Sequence, residues 1–191
     1  MVRSNFFYCI MGPSGSGKTS LAEWLEENGM ADGKQVVSYT TRKPRYDGEK
    51  GHIFITKKEF DQLGELCAYT KLYNGVEYGV TKDMLDQCVY YVIDPAGLQM
   101  LKRTYDRPIR VIGLYASDRI LRQHMTNRGD SQASIDERRA EDSKIFTMEN
   151  MENWCDILIN AESLDETRNI AYGYIYDLEN DDLVGEDNLP Y

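Results

Sequence analysis

Short unbroken apolar runs and longer amphipathic stretches take turns along this chain. FFYCIM (6–11), VYYVID (89–94), RVIGLYA (110–116) and DILINA (156–161) are short and almost wholly apolar, which predicts strands buried on both faces. QVVSY (35–39) predicts one further strand. Over 18–29, Leu21, Trp24, Leu25 and Asn28 fall on one helical face, and Gly29 suits the position just past a helix end. Pro95 opens a helix over 95–105, where its missing N–H would be unpaired anyway. Ser117 stands at the cap of a helix over 118–129, and Ser163 or Asp165 at that of 163–180. The charged stretch 131–151 predicts one long helix. Strands alternating with helices predict an α/β fold, a parallel sheet flanked by helices.

The stretch 38–81 breaks this rhythm. It carries arginine, lysine, several tyrosines, glycine turns and the alternating run GHIFIT. It predicts a small lobe inserted beside the C-terminal edge of the sheet, where ligands bind in open α/β folds. With 191 residues, the chain suffices for one core plus such an insertion. The core is then 1–37, 82–123 and 141–180, followed by a frayed acidic tail over 181–191. No internal repeat or low-complexity linker interrupts it.

Charge narrows the partners. A formal net charge of −10 argues against non-specific binding to nucleic acid or to an anionic membrane. No apolar stretch reaches the length of a membrane span, and the start shows no signal-peptide pattern, so the expected location is cytoplasmic. Cys9, Cys67, Cys88 and Cys155 form no CxxC pair, and His52 and His124 add no ligand spacing, which disfavours a zinc site or a disulfide framework. Cys9 and Cys88 read as small core residues in a reducing compartment.

GPSGSGKT (12–19) changes the picture most. Gly12, Gly17, Lys18 and Thr19 meet the pattern G-x-x-x-x-G-K-[ST], between a predicted strand and a predicted helix. In such a P-loop, glycines let successive N–H groups close around phosphate oxygens, and the helix adds its positive end. The cradle candidates are Gly12, Ser14, Gly15, Ser16, Gly17, Lys18, Thr19 and Ser20. Lys18 would reach the terminal phosphates, and the Thr19 hydroxyl would sit on Mg²⁺. A plain glycine-rich turn is the other reading.

SYTTRKPRYDGEKGH (38–52) puts Arg42, Lys43 and Arg45 together in an otherwise acidic chain. Guanidinium forks pair with phosphate in bidentate fashion, although a charge run is as often a solvated turn. Asp94 precedes Pro95, so it can cap the helix there, orient Mg²⁺ through water, or face a ligand.

SYTTRKPR, GVEYG (75–79), VIDPAG (92–97) and HMTNRGDSQASIDERR (124–139) together resemble the guanylate kinase family, in chain order from 6 to about 180. The resemblance implies a P-loop NTPase fold with a monophosphate-binding lobe at 38–81 and a helical lid at 124–140. It implies ATP-dependent phosphoryl transfer to a nucleoside monophosphate, GMP or dGMP or a relative with altered base choice, by a monomer or homodimer. Ser38, Arg42, Arg45, His52, Tyr69, Tyr78 and Asp94 would hold the acceptor. Lys18, Arg42, Arg128 and Arg138 would act on the transferring group, with Arg139 a neighbour. Thr19 and Asp94 would serve the metal. The lid arginines could instead pair along the helix with Asp136, Glu141 and Asp142. Two other readings share this fold: a kinase of a phosphorylated sugar, and a non-catalytic protein-binding module. Such modules typically lose the cradle, and here Lys18 and Thr19 are intact.

The chain departs from the family where guanine is read. Counted back without gaps from EYG, the base-reading glutamate falls on Tyr69. The small hydroxyl residue after Tyr-Gly falls on Val80, and the carboxylate two residues before Asp94 is Val92. The phosphate-binding tyrosine falls on His52, which can still donate to phosphate. Guanine presents N–H donors at N1 and N2, and without a carboxylate they stay unpaired at a cost. Glu77, Glu65 or Asp94 could supply it in another register. Tyr39, Tyr46, Tyr69, Tyr73 and Tyr78 could stack on a base or simply pack.

Overall fold

The computed structural model describes residues 4–28, 33–44, 47–72 and 74–180. It starts on β1 (Phe7–Met11), whose five residues are all 0% exposed, and continues through α1 (Lys18–Asn28) and β2 (Lys34–Gln35). β3 (Ser38–Thr40), β4 (His52–Phe54), α2 (Lys57–Phe60), β5 (Leu66–Lys71) and β6 (Glu77–Thr81) follow. α3 (Lys82–Leu85) leads into β7 (Cys88–Val92), α4 (Pro95–Thr104) and β8 (Ile109–Tyr115). The chain then runs through α5 (Asp118–Asn127), α6 (Gln132–Ile145), α7 (Met148–Trp154), β9 (Ile157–Asn160) and α8 (Leu164–Asn180).

The main sheet has the order β2-β7-β1-β8-β9, and all its pairings are parallel. This is the α/β sheet that the apolar runs predict. Alternate residues of β1 feed two cores. Phe7, Cys9 and Met11 join Leu98 and Leu101 of α4, while Tyr8 and Ile10 join Leu21 and Leu25 of α1 and Ala171 and Ile175 of α8. A strand with helices on both faces has no solvent side, hence its lack of polar alternation. The four cysteines are free, with Cys9, Cys67 and Cys88 buried.

The second sheet has the order β4-β3-β6-β5. It is fused to the main core, because Cys67, Ala68 and Val80 pack in the same cluster as Leu98 and Leu101. The Thr104 hydroxyl also donates to the Cys67 carbonyl at 2.6 Å.

Two predicted elements are corrected. The single strand over 35–39 is two: Val36 N–H donates to Tyr90 O at 2.8 Å in the main sheet, and the chain crosses at the exposed Val37 to enter the second sheet at Ser38. The long helix over 131–151 breaks at Phe146 (φ −95°, ψ 53°), and Thr147 recaps the chain by accepting from Asn150 N–H. The break lets Phe146 meet the Trp154 ring edge-on at 6.5 Å between centroids. Ser117 holds the cap position of α5, yet its side chain makes no capping bond. For α8 it is Ser163 whose hydroxyl accepts, from Glu166 N–H at 3.4 Å. The expected Gly29 stop and the acidic tail lie outside the described residues.

Candidate active site

The loop after β1 lies where only glycine fits. A Cβ on Gly12 (φ +152°) would stand 2.2 Å from the Leu114 carbonyl oxygen, and one on Gly15 (φ +83°) 2.5 Å from that of Leu121. The loop is thereby pressed against the end of β8 and the flank of α5. His124 of α5 ties it further, with Nδ1 2.8 Å from Gly15 O. Inside the turn, the N–H groups of Gly15, Gly17, Lys18 and Thr19 bond to no described residue. Ser16 Oγ is buried and has no partner among the described residues. Donors left without partners in a concave turn suit a phosphate chain.

Lys18 opens α1 and folds back so that Nζ donates to Pro13 O at 2.7 Å. Burial, reinforced by the guanidinium groups of Arg128 and Arg138, pushes its ammonium down to about 8, while Asp142 pulls it the other way. An anion in the cradle would reverse that shift.

The loop forms the middle of a cleft of about 1130 Å³, above the roughly 300–1,000 Å³ of a single small-molecule site. One arm runs past His124 and Asn127 to Ala161, Glu162 and Thr167; the other runs to Ser38, His52 and Tyr78 of the second sheet. Thr19 and Ser20 line it with the rest of the loop.

On the second sheet the expected phosphate-holding residues form a chain of contacts. Ser38 Oγ is 3.0 Å from His52 Nδ1, and the His52 ring meets the Tyr78 ring at 5.3 Å. Arg42 Nε donates to the Tyr78 hydroxyl at 3.2 Å. Arg42 stands one contact behind the cleft wall, with its fork on Glu49: Nη2 to Oε1 at 2.8 Å and Nη1 to Oε2 at 3.1 Å. Glu49 itself lines the cleft. Arg45, Tyr46 and Tyr73 lie outside the described residues.

Tyr69 is placed elsewhere. β5 pairs β6 antiparallel with Tyr69 opposite Gly79 and Thr70 opposite Tyr78. Residues directly opposite share a face, so Tyr69 and Tyr78 point to opposite sides of the sheet. The Tyr69 hydroxyl donates to Glu77 Oε1 at 2.7 Å, and Glu77 Oε2 takes Lys57 Nζ at 2.7 Å. Lys57 and Tyr69 hold the Glu77 carboxyl below the usual carboxylate range. Counting without gaps selects the wrong parity here. Tyr39, opposite Gly79, is on that outer face too, so of the described tyrosines proposed for stacking only Tyr78 lines the cleft. Glu77 and Glu65 are likewise outside it, and Val80 is wholly buried.

Asp94 and Val92 do line the cleft. Asp94 caps α4 through Oδ1 alone, accepting from Ala96 N–H at 2.9 Å and Gly97 N–H at 3.0 Å. Among the described residues no group of three or more His, Cys, Asp or Glu converges on a metal position.

Arg128 and Arg138 come together at the cleft and share Asp130: Arg128 Nη2 bonds its Oδ2, and Arg138 Nη1 is 4.0 Å from the same atom. Arg139 turns away to Asp118 at 2.8 Å, and Asp136 pairs with Arg122 at 2.6 Å. Asp142, which the sequence suggests only as a partner for these arginines, instead accepts from Ser14 N–H at 2.6 Å. Its spacing of four from Arg138 already places both on one helical face. Sequence spacing gives no signal for the roles of Glu49 and His124, since each contributes through contacts distant along the chain or across a loop.

Three comparisons bear on this arrangement. A sequence profile described as Guanylate kinase matches residues 5–175. The guanylate kinase of Shewanella frigidimarina (strain NCIMB 400) is 36% identical over 151 residues, 73% of this chain and 72% of that protein. The crystal structure of guanylate kinase from Anaplasma phagocytophilum aligns with a TM-score of 0.63 at 22% identity, over 94% of this chain and 89% of that one. A gluconokinase from Sinorhizobium meliloti 1021 reaches a TM-score of 0.52 at 14% identity, over 97% of this chain and 99% of its own. At these identities the two structures speak for the fold alone.

Proposed function

The chain belongs to the guanylate kinase family and is a nucleoside monophosphate kinase, and from that premise we propose that it moves the γ-phosphoryl group of ATP to a monophosphate held against Ser38, His52 and Tyr78. The carrying observation is the continuous cleft that joins a loop with four N–H groups that bond to no described residue to the Ser38–His52–Tyr78–Arg42 patch. Two anions seated at these ends meet end to end, which is what in-line transfer needs.

Each residue then has a physical task. Loop amides and Lys18 hold the donor's phosphates. Arg42, relayed through Tyr78, and Arg45 hold the acceptor's phosphate. Arg128 and Arg138 neutralise charge spreading over the transferring group. Residues 38–81 form the acceptor lobe and 124–140 the lid, whose closure excludes water that would otherwise take the phosphoryl group. Mg²⁺ supplies further charge neutralisation when bound. The Thr19 hydroxyl would hold it, with Asp94 acting through water.

The base choice follows from what the acceptor arm lacks. Near the acceptor patch, Glu49 gives its oxygens to the Arg42 fork and Asp94 spends one oxygen on its cap, while Glu23 lines the cleft from α1. Neither Glu49 nor Asp94 offers two open oxygens to a base, so guanine's paired donors are not specially rewarded by these two. Incubation with ATP, Mg²⁺ and each common ribo- and deoxyribo-monophosphate tests this. The expected result is a nucleoside diphosphate, with GMP favoured over the best alternative by less than about tenfold. Turnover confined to GMP and dGMP would overturn the base assignment. Turnover of a phosphorylated sugar alone would overturn the acceptor class.

A further inference from the structure

α6 turns two opposite charges toward the cleft, Arg138 and, one turn later, Asp142. The negative one touches the cradle, where Asp142 Oδ2 takes the N–H of Ser14 at 2.6 Å between Gly12 and Gly15. A carboxylate accepting from a P-loop amide is chemically close to a phosphate oxygen doing so: both are anionic, both accept only, and both gain from the same fixed dipoles. The Asp142 charge also bears on the Lys18 ammonium, alongside Arg128 and Arg138. A salt bridge within α6 would have been the ordinary outcome for an acid four residues after an arginine. Here the acid reaches across 128 residues of chain to the loop instead.

We infer that Asp142 is a positioning residue that stands in for a donor phosphate, holding the Ser14 corner of the cradle in the ligand-free protein and yielding it when a polyphosphate arrives. The inference rests on the reading of the cradle as the donor site. It deepens that reading, since the cradle is available only in the fraction of molecules whose Asp142 has let go, and the apparent affinity falls by that fraction. It also links donor to lid. The anion that repels Asp142 attracts Arg138, and the two ride on one turn of one helix.

The test is calorimetric titration of the whole chain with MgATP and, separately, with inorganic tripolyphosphate, for the wild type, Asp142→Ala and Asp142→Asn. Both probes should bind Asp142→Ala about tenfold more tightly than wild type, the size expected for giving up one charge-assisted bond to a main-chain N–H. Asp142→Asn, which keeps the shape and loses the charge, should fall between the two. The KM for ATP should drop in step while kcat does not rise. A merely structural role would lower the melting temperature and leave or weaken both affinities, and that result would overturn the inference. So would tightening toward ATP without tightening toward tripolyphosphate, which would place the effect at the nucleoside. If Asp142→Ala does not fold, Asp142→Asn decides the matter by the same two affinities. Binding of neither probe by wild type or variants would instead remove the donor reading on which the inference stands.

Discussion

The cradle and the acceptor patch face each other across one cleft, and they are prepared for an anion in different ways. The cradle is eight consecutive residues with open donors: four N–H groups and Ser16 Oγ bond to no described residue. The patch is gathered from three strands and a loop, and its donors are already engaged with one another. Arg42 serves Tyr78 and Glu49, and Ser38 serves His52. An anion entering the cradle therefore makes mostly new bonds, exchanging old ones only at Ser14 and Lys18, while one entering the patch exchanges old ones throughout. The net free energy of an exchange is smaller than that of a first bond to an unmet buried group. Substitutions at the cradle should accordingly weigh more than substitutions at the patch.

Lys18→Ala is the most severe test of that contrast. It removes the charge nearest the donor's terminal phosphates from a half-buried site. kcat/KM for ATP should fall about 10³-fold, or roughly 4 kcal/mol of transition-state stabilisation. Thermal melting should stay close to wild type, because the hydrogen bond that Nζ gives up is a single one to Pro13 O. A loss of less than tenfold would mean that the loop amides alone hold the donor.

Arg42→Ala should act at the other end and less strongly. The acceptor KM should rise about tenfold, with the KM for ATP nearly unchanged. Steady-state kinetics with each substrate varied in turn separates the two. An acceptor KM equal to wild type would take Arg42 out of the phosphate site and leave it as the Glu49 partner that it is in the free protein.

Acidity offers a gentler probe. The Lys18 ammonium lies at about 8 in the free protein, lowered chiefly by burial, and a polyphosphate beside it favours the charged form. Because the charged form binds, affinity for ATP should be flat below about pH 7. It should weaken by up to about tenfold per pH unit above pH 8, with one proton taken up on binding. Calorimetry in buffers of different ionisation heat reads that proton directly. Lys18→Arg should abolish the bend, since a guanidinium does not titrate in this range.

The same contrast explains which features were legible in the sequence. The cradle could be read because its pattern is local: Gly12, Gly17, Lys18 and Thr19 fall at fixed spacing within eight residues, and the backbone takes a positive φ at Gly12, Gly15 and Gly17. The buried strand β1 and the largely buried β7 and β8 announced themselves as unbroken apolar runs. Four kinds of feature were hidden. The split of 35–39 between two sheets depends on Val37 facing solvent, which no periodicity over five residues reveals. The break at Phe146 depends on packing against Trp154. Which face of the second sheet a side chain takes depends on register, and one residue of slip moves it from cleft to exterior. Asp142 was visible as a charge but not as a ligand of Ser14, because that contact joins segments 128 residues apart.

Tyr69 gives the smallest and most discriminating effect. Spacing alone puts it at the base-reading position, whereas the pairing of Tyr69 with Gly79 puts it on the outer face with Glu77 and Lys57. Tyr69→Phe removes one hydrogen bond to a carboxylate and keeps the ring against Phe60, 6.2 Å away between centroids. Stability should fall by about 1 kcal/mol in denaturant unfolding, with acceptor KM and base preference unchanged. Tyr69→Glu sets a second carboxylate beside Glu77, so it should destabilise further and bring no preference for GMP. A gain for GMP in that variant would return Tyr69 to the cleft and undo the register on which the acceptor patch is built.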